Sequence, residues 1–173
     1  GLGDVYKRQD HIGDIMQISK TKTTGITIGK VTGQNLPKDP SKNVASVAGL
    51  ALLKETPSEF GFQIDIDKKI KPGSGIGSSA ASAAGAVFGI NELLGNPYTR
   101  KELIRFAMVG EAIASGAAHA DNLSPVLLGG FTLVRSNVSL DVIKLPNPSQ
   151  LVATIIHPKI ELKTLHSLSL IHI

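Results

Sequence analysis

The sequence predicts an α+β domain, in which strands and helices follow one another along the chain. From Phe60 to Ile66 every second residue is apolar, and the residues between them are polar or small. This alternation is typical of a strand with one face in solvent, and such strands usually pair antiparallel. Thr99 and Glu102 have the spacing of a capping box, which predicts the start of a helix. The length of 173 residues fits one ordinary domain.

The composition excludes several classes of function. The chain has no cysteine, so it has neither a disulfide framework nor a thiolate zinc site, and its five histidines show no metal-ligand spacing. The net charge of +4 is not concentrated in a basic run, which argues against nucleic-acid binding. No apolar run reaches membrane-spanning length. We therefore expect a cytoplasmic protein with no nucleic-acid or membrane partner.

The first predicted elements are two strands and a helix. The segments IMQIS and TGITIGKV alternate in the same way, and a short connection at residues 20–24 joins them. Turn formers follow, and Ser41 is placed to cap a helix over residues 43–55. Asn43 is a polar residue at the start of that helix, where capping is its usual role. A third strand is expected over residues 60–70.

The run KPGSGIGSSAASAA lies between this strand and the next helix. Its glycines, Gly73, Gly75 and Gly77, precede two serines that open an alanine-rich helix, which Gly95 ends. The unpaired N–H groups of a first helical turn bind anions, and phosphate is the obvious ligand. The run lacks the lysine of a Walker A motif and the third glycine of a dinucleotide fingerprint. The alternative is a turn of small residues that lets two elements pack closely.

Glu111 stands out on the helix that runs from the capping box to about residue 115. It lies on the apolar flank of that helix, where a carboxylate is unfavourable unless a cation or a donor meets it. The alternative is a glutamate at the margin of the buried stripe that reaches solvent. At 100° per residue, the buried stripe comprises Leu103, Ala107, Gly110 and Ala114, and the opposite face comprises Lys101, Glu102 and Arg105.

Three polar residues, His119, Asp121 and Asn122, lie within four positions after that helix. They are candidates for a substrate-binding turn, although an Asp-Asn pair before an apolar run is also a common N-cap. The segments FTLVRS and VSLDVIKL then have the pattern of strands. The PNPS segment at residues 146–149 marks the expected edge of the domain.

The glycine loop resembles the central motif of the GHMP small-molecule kinases, in which a glycine-serine loop at a helix N-terminus wraps the ATP phosphates. Within that superfamily, the segments PGSGIGSSAASAAGAVFGINELLG and GEAIASGAAHADNLSPVLLGGF are similar to the homoserine kinases. The likeness runs over about residues 10–164. It departs at one position, because the family often has its proline at the place of Lys71, whereas here it is Pro72.

This resemblance implies a fold that also occurs in ribosomal and chaperone proteins, with a mostly antiparallel sheet and helices on one face. Residues 10–148 would form the N-terminal ATP-binding domain without its first strands, and residues 149–165 would begin a C-terminal domain. Residues 1–9 and 166–173 are expected to be non-native. Because two further parts of the family are not matched, we expect the chain alone to be inactive and poorly soluble. The full-length protein is a candidate homodimer.

The resemblance also implies a reaction, in which ATP and L-homoserine give O-phospho-L-homoserine on the route to threonine. Asn43 would lie near the adenine, Ser79 and Glu111 would bind Mg²⁺, and His119, Asp121 and Asn122 would bind homoserine. Asp121 is assigned to substrate binding rather than to a general base. The residues implied to hold ATP are Asn43, Pro72, Gly73, Ser74, Gly75, Ile76, Gly77, Ser78 and Ser79, and the candidate catalytic residues are Ser79, Glu111 and Asn122.

Two other functions stay open at this point. One is another kinase of the same superfamily, such as a mevalonate or related isoprenoid-pathway kinase, against which the HADN turn and the following SPVLLGGF argue. The other is a non-catalytic module of the same fold. Such a module has no reason to retain the glycine loop, so nucleotide binding would distinguish it.

Overall fold

The structure, a computed structural model, describes residues 13–146 and 150–152 of the chain. Strands and helices follow one another in these residues, which confirms the predicted α+β class. None of the helices described there is long and apolar enough to span a membrane. The strands are β1 (Ile15–Thr21), β2 (Ile26–Thr32), β3 (Gly61–Asp67), β4 (Phe131–Ser136) and β5 (Asp141–Leu145), and the helices are α1 (Val44–Glu55), α2 (Ser78–Leu93), α3 (Arg100–Ser115) and α4 (Leu123–Leu128).

β3 is the central strand of a three-stranded sheet. It pairs antiparallel with β1, where Ile18 lies opposite Ile64, and parallel with β2, where Ile28 lies opposite the same residue. β4 and β5 form a separate antiparallel pair. The expected mostly antiparallel arrangement therefore holds for two of the three pairings, and the β2–β3 pair is the parallel exception.

The connection between β1 and β2 crosses the start of β3, so the two predicted strands form but do not pair with each other. The amide of Phe62 donates a hydrogen bond of 2.8 Å to the carbonyl oxygen of Gly25 in this connection. At Gly61, a Cβ atom would overlap the carbonyl oxygen of Thr23 and lie 2.7 Å from that of Gly25. Only a residue without a side chain lets the connection pass this close to β3.

The helices cover one face of the sheet, as expected. The alternating residues Phe62, Ile64 and Ile66 are buried on that face. The helix α2 packs against β1, and a Cβ atom at Gly89 would lie only 2.7 Å from the Cδ1 atom of Ile18. The small residues of α2 thus allow its backbone to approach the sheet. α1 packs beside α2, and α3 contacts both helices.

The hairpin of β4 and β5 keeps an exposed apolar face. Phe131 lies opposite Leu145, and Leu133 lies opposite Ile143. Each of these four side chains is between 38% and 49% exposed. The other face of the hairpin contributes the buried Val142 to the core.

Two predicted boundaries are wrong. Asn43, not Ser41, is the N-cap of α1, because its side chain accepts a hydrogen bond from the amide of Ala45, while the Ser41 hydroxyl bonds Asp39. The third strand ends at Asp67 rather than at residue 70. The chain then leaves the sheet, because the backbone amides of Lys69 and Ile70 donate to the side chain of Asp14 rather than to a neighbouring strand.

The capping box of α3 is confirmed. The Thr99 side chain accepts from the amide of Glu102, and the Glu102 side chain accepts from the amide of Thr99. Of the predicted stripe, Leu103, Ala107 and Gly110 are buried, and the predicted polar face is exposed. Ala114 is exposed, contrary to expectation, because no residue of α3 beyond Glu111 is buried and its last turn projects past the packed helices.

Some expectations fall outside the described residues. These are the non-native ends at residues 1–9 and 166–173, most of the domain edge at 146–149, and most of the C-terminal segment at 149–165.

The close approach at Gly61 gives a testable expectation for stability. We expect Gly61→Ala to lower the free energy of unfolding by about 2 kcal/mol or more, because the added methyl group overlaps backbone oxygens that cannot rotate away. Gly13→Ala is the matched control, since nothing lies within 4 Å of a Cβ atom there. Urea unfolding of both variants measures the difference, and equal midpoints would contradict the crossing described above.

Candidate functional site

The glycine loop leaves the end of β3 and enters the first turn of α2. Gly73, Gly75 and Gly77 have φ angles of +73°, +78° and +74°, which favour glycine over any residue with a side chain. Gly77 is the N-cap of α2, and it supplies no side-chain hydrogen bond to the helix. The first N–H groups of an α-helix have no partner within the helix. They are therefore left available at the mouth of this loop, next to the positive end of the helix dipole.

Ser79 and Glu111 meet at the base of the loop. The Ser79 hydroxyl, in the first turn of α2, donates a hydrogen bond of 2.8 Å to the Oε1 atom of Glu111 on α3. Glu111 is only 7% exposed. Its other oxygen, Oε2, is buried and has no hydrogen-bond partner among the described residues. A buried carboxylate oxygen without a donor is unfavourable, so this position is suited to a cation.

Burial raises the pKa of Glu111 above its ordinary value. The Ser79 hydrogen bond and the nearby His119 and Lys68 lower that pKa, while the carboxylate of Asp121 raises it, and burial prevails. A bound divalent cation would oppose burial by stabilising the ionised carboxylate.

A magnesium ion fits the donors present. Among the described residues, no group of three or more acidic, histidine or cysteine side chains could hold a metal alone. Mg²⁺ is commonly held by one or two protein oxygens together with substrate phosphates and water. The carboxylate of Glu111 and the hydroxyl of Ser79 are donors of this kind, and they lie next to the N-terminus of α2, where helix amides favour anions.

The HADN turn lies against the same loop. A Cβ atom at Gly77 would lie 3.7 Å from the Oδ1 atom of Asn122. Asn122 precedes α4, but its side chain does not cap the helix. Its backbone amide donates a hydrogen bond of 2.9 Å to the Asp121 carboxylate. His119, Asp121 and Asn122 are all exposed. The predicted capping role is therefore absent at Asn122, and three polar side chains face solvent beside the glycine loop.

Asn43 is the N-cap of α1, as its place at the start of that helix predicted. The side chain is 3% exposed, and its amide group donates to the carbonyl oxygen of Pro37 at 2.7 Å while its oxygen caps α1. The capping interpretation is confirmed. A contact between this side chain and an adenine ring stays a prediction that the structure does not test.

The structure adds three residues that the sequence reading missed. Asn137 accepts a hydrogen bond of 2.9 Å from the amide of Ala120 and so holds the HADN turn. Lys68 is buried beneath the glycine loop and forms an ion pair with Asp14. A signal for Lys68 was present, because it continues the alternation of Phe62, Ile64 and Ile66 onto the buried face.

Comparisons with known proteins show the family of the chain. The profile of the GHMP kinases N terminal domain matches residues 42–130. The homoserine kinase of Chlorobium phaeovibrioides is 42% identical over 160 residues, which cover 87% of this chain and 50% of the relative. That of Chlorobium phaeobacteroides is 45% identical over 147 residues, covering 80% of this chain and 46% of the relative. The chain thus spans about half the length of these relatives.

Solved structures show the same relationship. The crystal structure of homoserine kinase from Cytophaga hutchinsonii matches with a TM-score of 0.84 at 47% identity, covering 90% of this chain and 50% of that one. The mevalonate kinase of Methanococcus jannaschii matches with a TM-score of 0.60 at 19% identity, covering 78% of this chain and 46% of that one. The second likeness shows a shared fold alone.

The raised pKa of Glu111 predicts how stability depends on pH. A folded-state pKa above the unfolded value favours folding at low pH, and this contribution is lost as pH rises through the folded pKa. Without metal, the melting temperature of the unmodified chain should therefore fall relative to that of Glu111→Gln as pH rises above the ordinary pKa range of a glutamate.

The control for this experiment is Glu102→Gln. Hydrogen bonds from Thr99 lower the pKa of Glu102, so its contribution is lost only as pH falls through that lowered value. The difference in melting temperature between Glu102→Gln and the unmodified chain should stay constant over the same pH range. If the melting temperatures of Glu111→Gln and of the unmodified chain changed in parallel with pH, the raised pKa of Glu111 would be contradicted.

Proposed function

Since the chain belongs to the GHMP kinase family, we propose that it forms part of an enzyme that transfers the γ-phosphoryl group of ATP to the hydroxyl group of L-homoserine. The product is O-phospho-L-homoserine, an intermediate of threonine biosynthesis. The observation that carries this proposal is the buried Glu111 carboxylate, which meets Ser79 at the base of a glycine loop and keeps one oxygen unpartnered. The homoserine kinases that resemble the chain at 42% to 47% identity support the choice of substrate.

The glycine loop binds the phosphates of ATP in this proposal. Unpaired backbone N–H groups of the loop and of the first turn of α2, between Gly73 and Ser79, would bind the anion, and the positive end of the α2 dipole would add to their attraction. Phosphoryl transfer asks a protein mainly for positioning and for stabilisation of negative charge. Amides that are fixed in place provide both, because they need no reorganisation when charge develops.

Ser79 and Glu111 would hold Mg²⁺ beside the phosphates. When bound, the metal would neutralise part of the negative charge of the phosphates. Glu111 presents one oxygen already oriented by the Ser79 hydroxyl and a second one without a partner. This pair lies between two packed helices, α2 and α3, so its geometry is held by the core.

The HADN turn would bind homoserine. The carboxylate of Asp121 suits the ammonium group of an amino acid, and Asn122 lies beside Gly77, where the acceptor hydroxyl must approach the phosphates. Asn122 thereby orients the hydroxyl for attack, and His119 completes the polar surface. Asp121 acts in binding and not as a general base. Holding an acceptor in line with the γ-phosphate is itself a large part of such catalysis.

The mevalonate-type alternative receives no separate support, because the likeness to mevalonate kinases at 19% identity concerns the fold alone. The non-catalytic alternative predicts no nucleotide binding. The first experiment below separates it from the kinase proposal.

We expect the chain to bind Mg-ATP and Gly75→Val to weaken that binding roughly tenfold or more, about 1.4 kcal/mol. A branched side chain would stand where phosphates approach the loop backbone. Gly95→Val is the matched control, since Gly95 has a similar φ of +85° and equally open surroundings at the other end of α2. Isothermal titration with Mg-ATP measures both variants. If the two folded variants bound Mg-ATP with equal affinity, the assignment of the glycine loop to phosphate binding would be wrong.

We expect residues 1–173 alone to show little homoserine-dependent ATP turnover. A chimera that adds the unmatched half of the Cytophaga hutchinsonii homoserine kinase should gain turnover and solubility, because it can cover the apolar face of the β4–β5 hairpin and enclose the site. Coupled ADP release with homoserine, mevalonate and a sugar as acceptors measures the rate. Preference for another acceptor would contradict the proposed substrate.

A further inference from the structure

Lys68 is a buried cation that the proposed mechanism does not use. Its side chain is 1% exposed, and it lies on the inward face of the chain just after β3. The Nζ atom donates to the carbonyl oxygen of Ser78 at 2.6 Å, to the hydroxyl of Ser82 at 2.9 Å and to the Oδ2 atom of Asp14. An ammonium group has three N–H donors, so every donor is satisfied.

Asp14 completes a closed network. Its Oδ2 atom accepts from Lys68, and its Oδ1 atom accepts from the amides of Lys69 at 2.9 Å and Ile70 at 2.8 Å. Asp14 precedes β1 and is itself mostly buried. The carboxylate therefore binds the chain where it enters the glycine loop.

The two ends of the glycine loop are thus tied to one ion pair. Asp14 holds residues 69 and 70 at the entrance, and Lys68 holds Ser78, the first residue of α2, at the exit. Ser79 follows directly and donates to Glu111. The hydroxyl of Ser78 adds a bond of 2.9 Å to the carbonyl oxygen of Ile70, which spans the same two ends.

Core stability alone does not require an ion pair at this position. The preceding inward residues, Phe62, Ile64 and Ile66, are apolar, and an apolar residue of similar volume in place of a buried ion pair is often neutral or stabilising. A closed polar network instead specifies one arrangement of the groups that it joins. The groups joined here are the two ends of the loop.

We propose that Lys68, together with Asp14, is a positioning residue that fixes both ends of the glycine loop, so that the first-turn amides of α2 and Ser79 are ordered before nucleotide binds. Lys68 touches no ligand in this role. Its effect is to reduce the ordering that binding would otherwise require. The ligand named here rests on the proposed function, whereas the ordering of the loop does not.

The test compares Lys68→Met, Asp14→Asn and the double variant. Lys68→Met removes the cation and keeps the length of the side chain, and Asp14→Asn keeps an oxygen for the amides of the loop entrance. The double variant leaves no unpaired buried charge, so its melting temperature should return toward that of the unmodified chain. Ile90→Ala is the control for lost stability, because Ile90 is a fully buried residue near the other end of α2.

Two measurements separate positioning from stability. In the ligand-free chain, hydrogen exchange of the amides at residues 73–80 should become about tenfold faster in Lys68→Met and in the double variant, and should not change in Ile90→Ala. Titration with Mg-ATP should show about tenfold weaker binding in the same two variants.

Recovery of loop exchange and affinity together with melting temperature in the double variant would overturn the proposal, because Lys68 would then contribute only stability. The proposal would also be overturned if the amides at residues 73–80 exchanged in every variant at the same rate as in the unmodified chain. If the unmodified chain binds no Mg-ATP, the proposed function fails, and the exchange measurement still decides the role of Lys68. If Lys68→Met does not fold, the double variant carries the same comparison.

Discussion

The close packing of α2 on the sheet is the constraint on which the rest of the structure depends. Gly85 lies over Met16, and Gly89 lies over Ile18, so the helix approaches β1 more closely than large side chains would allow. This approach brings the first turn of α2 to the end of β3, with only the glycine loop between them. It also places Ser79 within hydrogen-bond distance of Glu111 on α3. The candidate site is thus a result of how a helix of small residues packs.

Electrostatics at the site is asymmetric. The carboxylate of Glu111 has one hydroxyl donor and one unpartnered oxygen, whereas the nearby ammonium of Lys68 has all three donors satisfied. The cation therefore bonds groups of the protein itself, whereas one oxygen of the carboxylate has no partner among the described residues. A buried acidic group in this condition is more often functional than structural, because stability alone would not retain it.

Local signals in the sequence predicted the elements that depend on local interactions. The capping box at Thr99 sets the start of α3, so this boundary could be predicted. The helix wheel placed Glu111 on the apolar flank but left open whether its side chain is buried or reaches solvent, and only the packing of α3 in the fold decides that it is buried. The cap of α1 was ambiguous because Ser41 and Asn43 are both good capping residues, and only the backbone path decides between them. Asn137 could not be found, since its bond to Ala120 joins segments that only the fold brings together.

The crossing of the first connection over Gly61 has a consequence for the order of folding during synthesis. β1 and β2 leave the ribosome before β3, but they cannot form a hairpin with each other, because β3 lies between them in the sheet. Both strands must wait for residues up to Asp67, and their pairings are non-local contacts, which form slowly. Until then their alternating apolar residues are open to chaperones and to other nascent chains. The rate of translation through β3 therefore sets how long this part of the chain stays exposed.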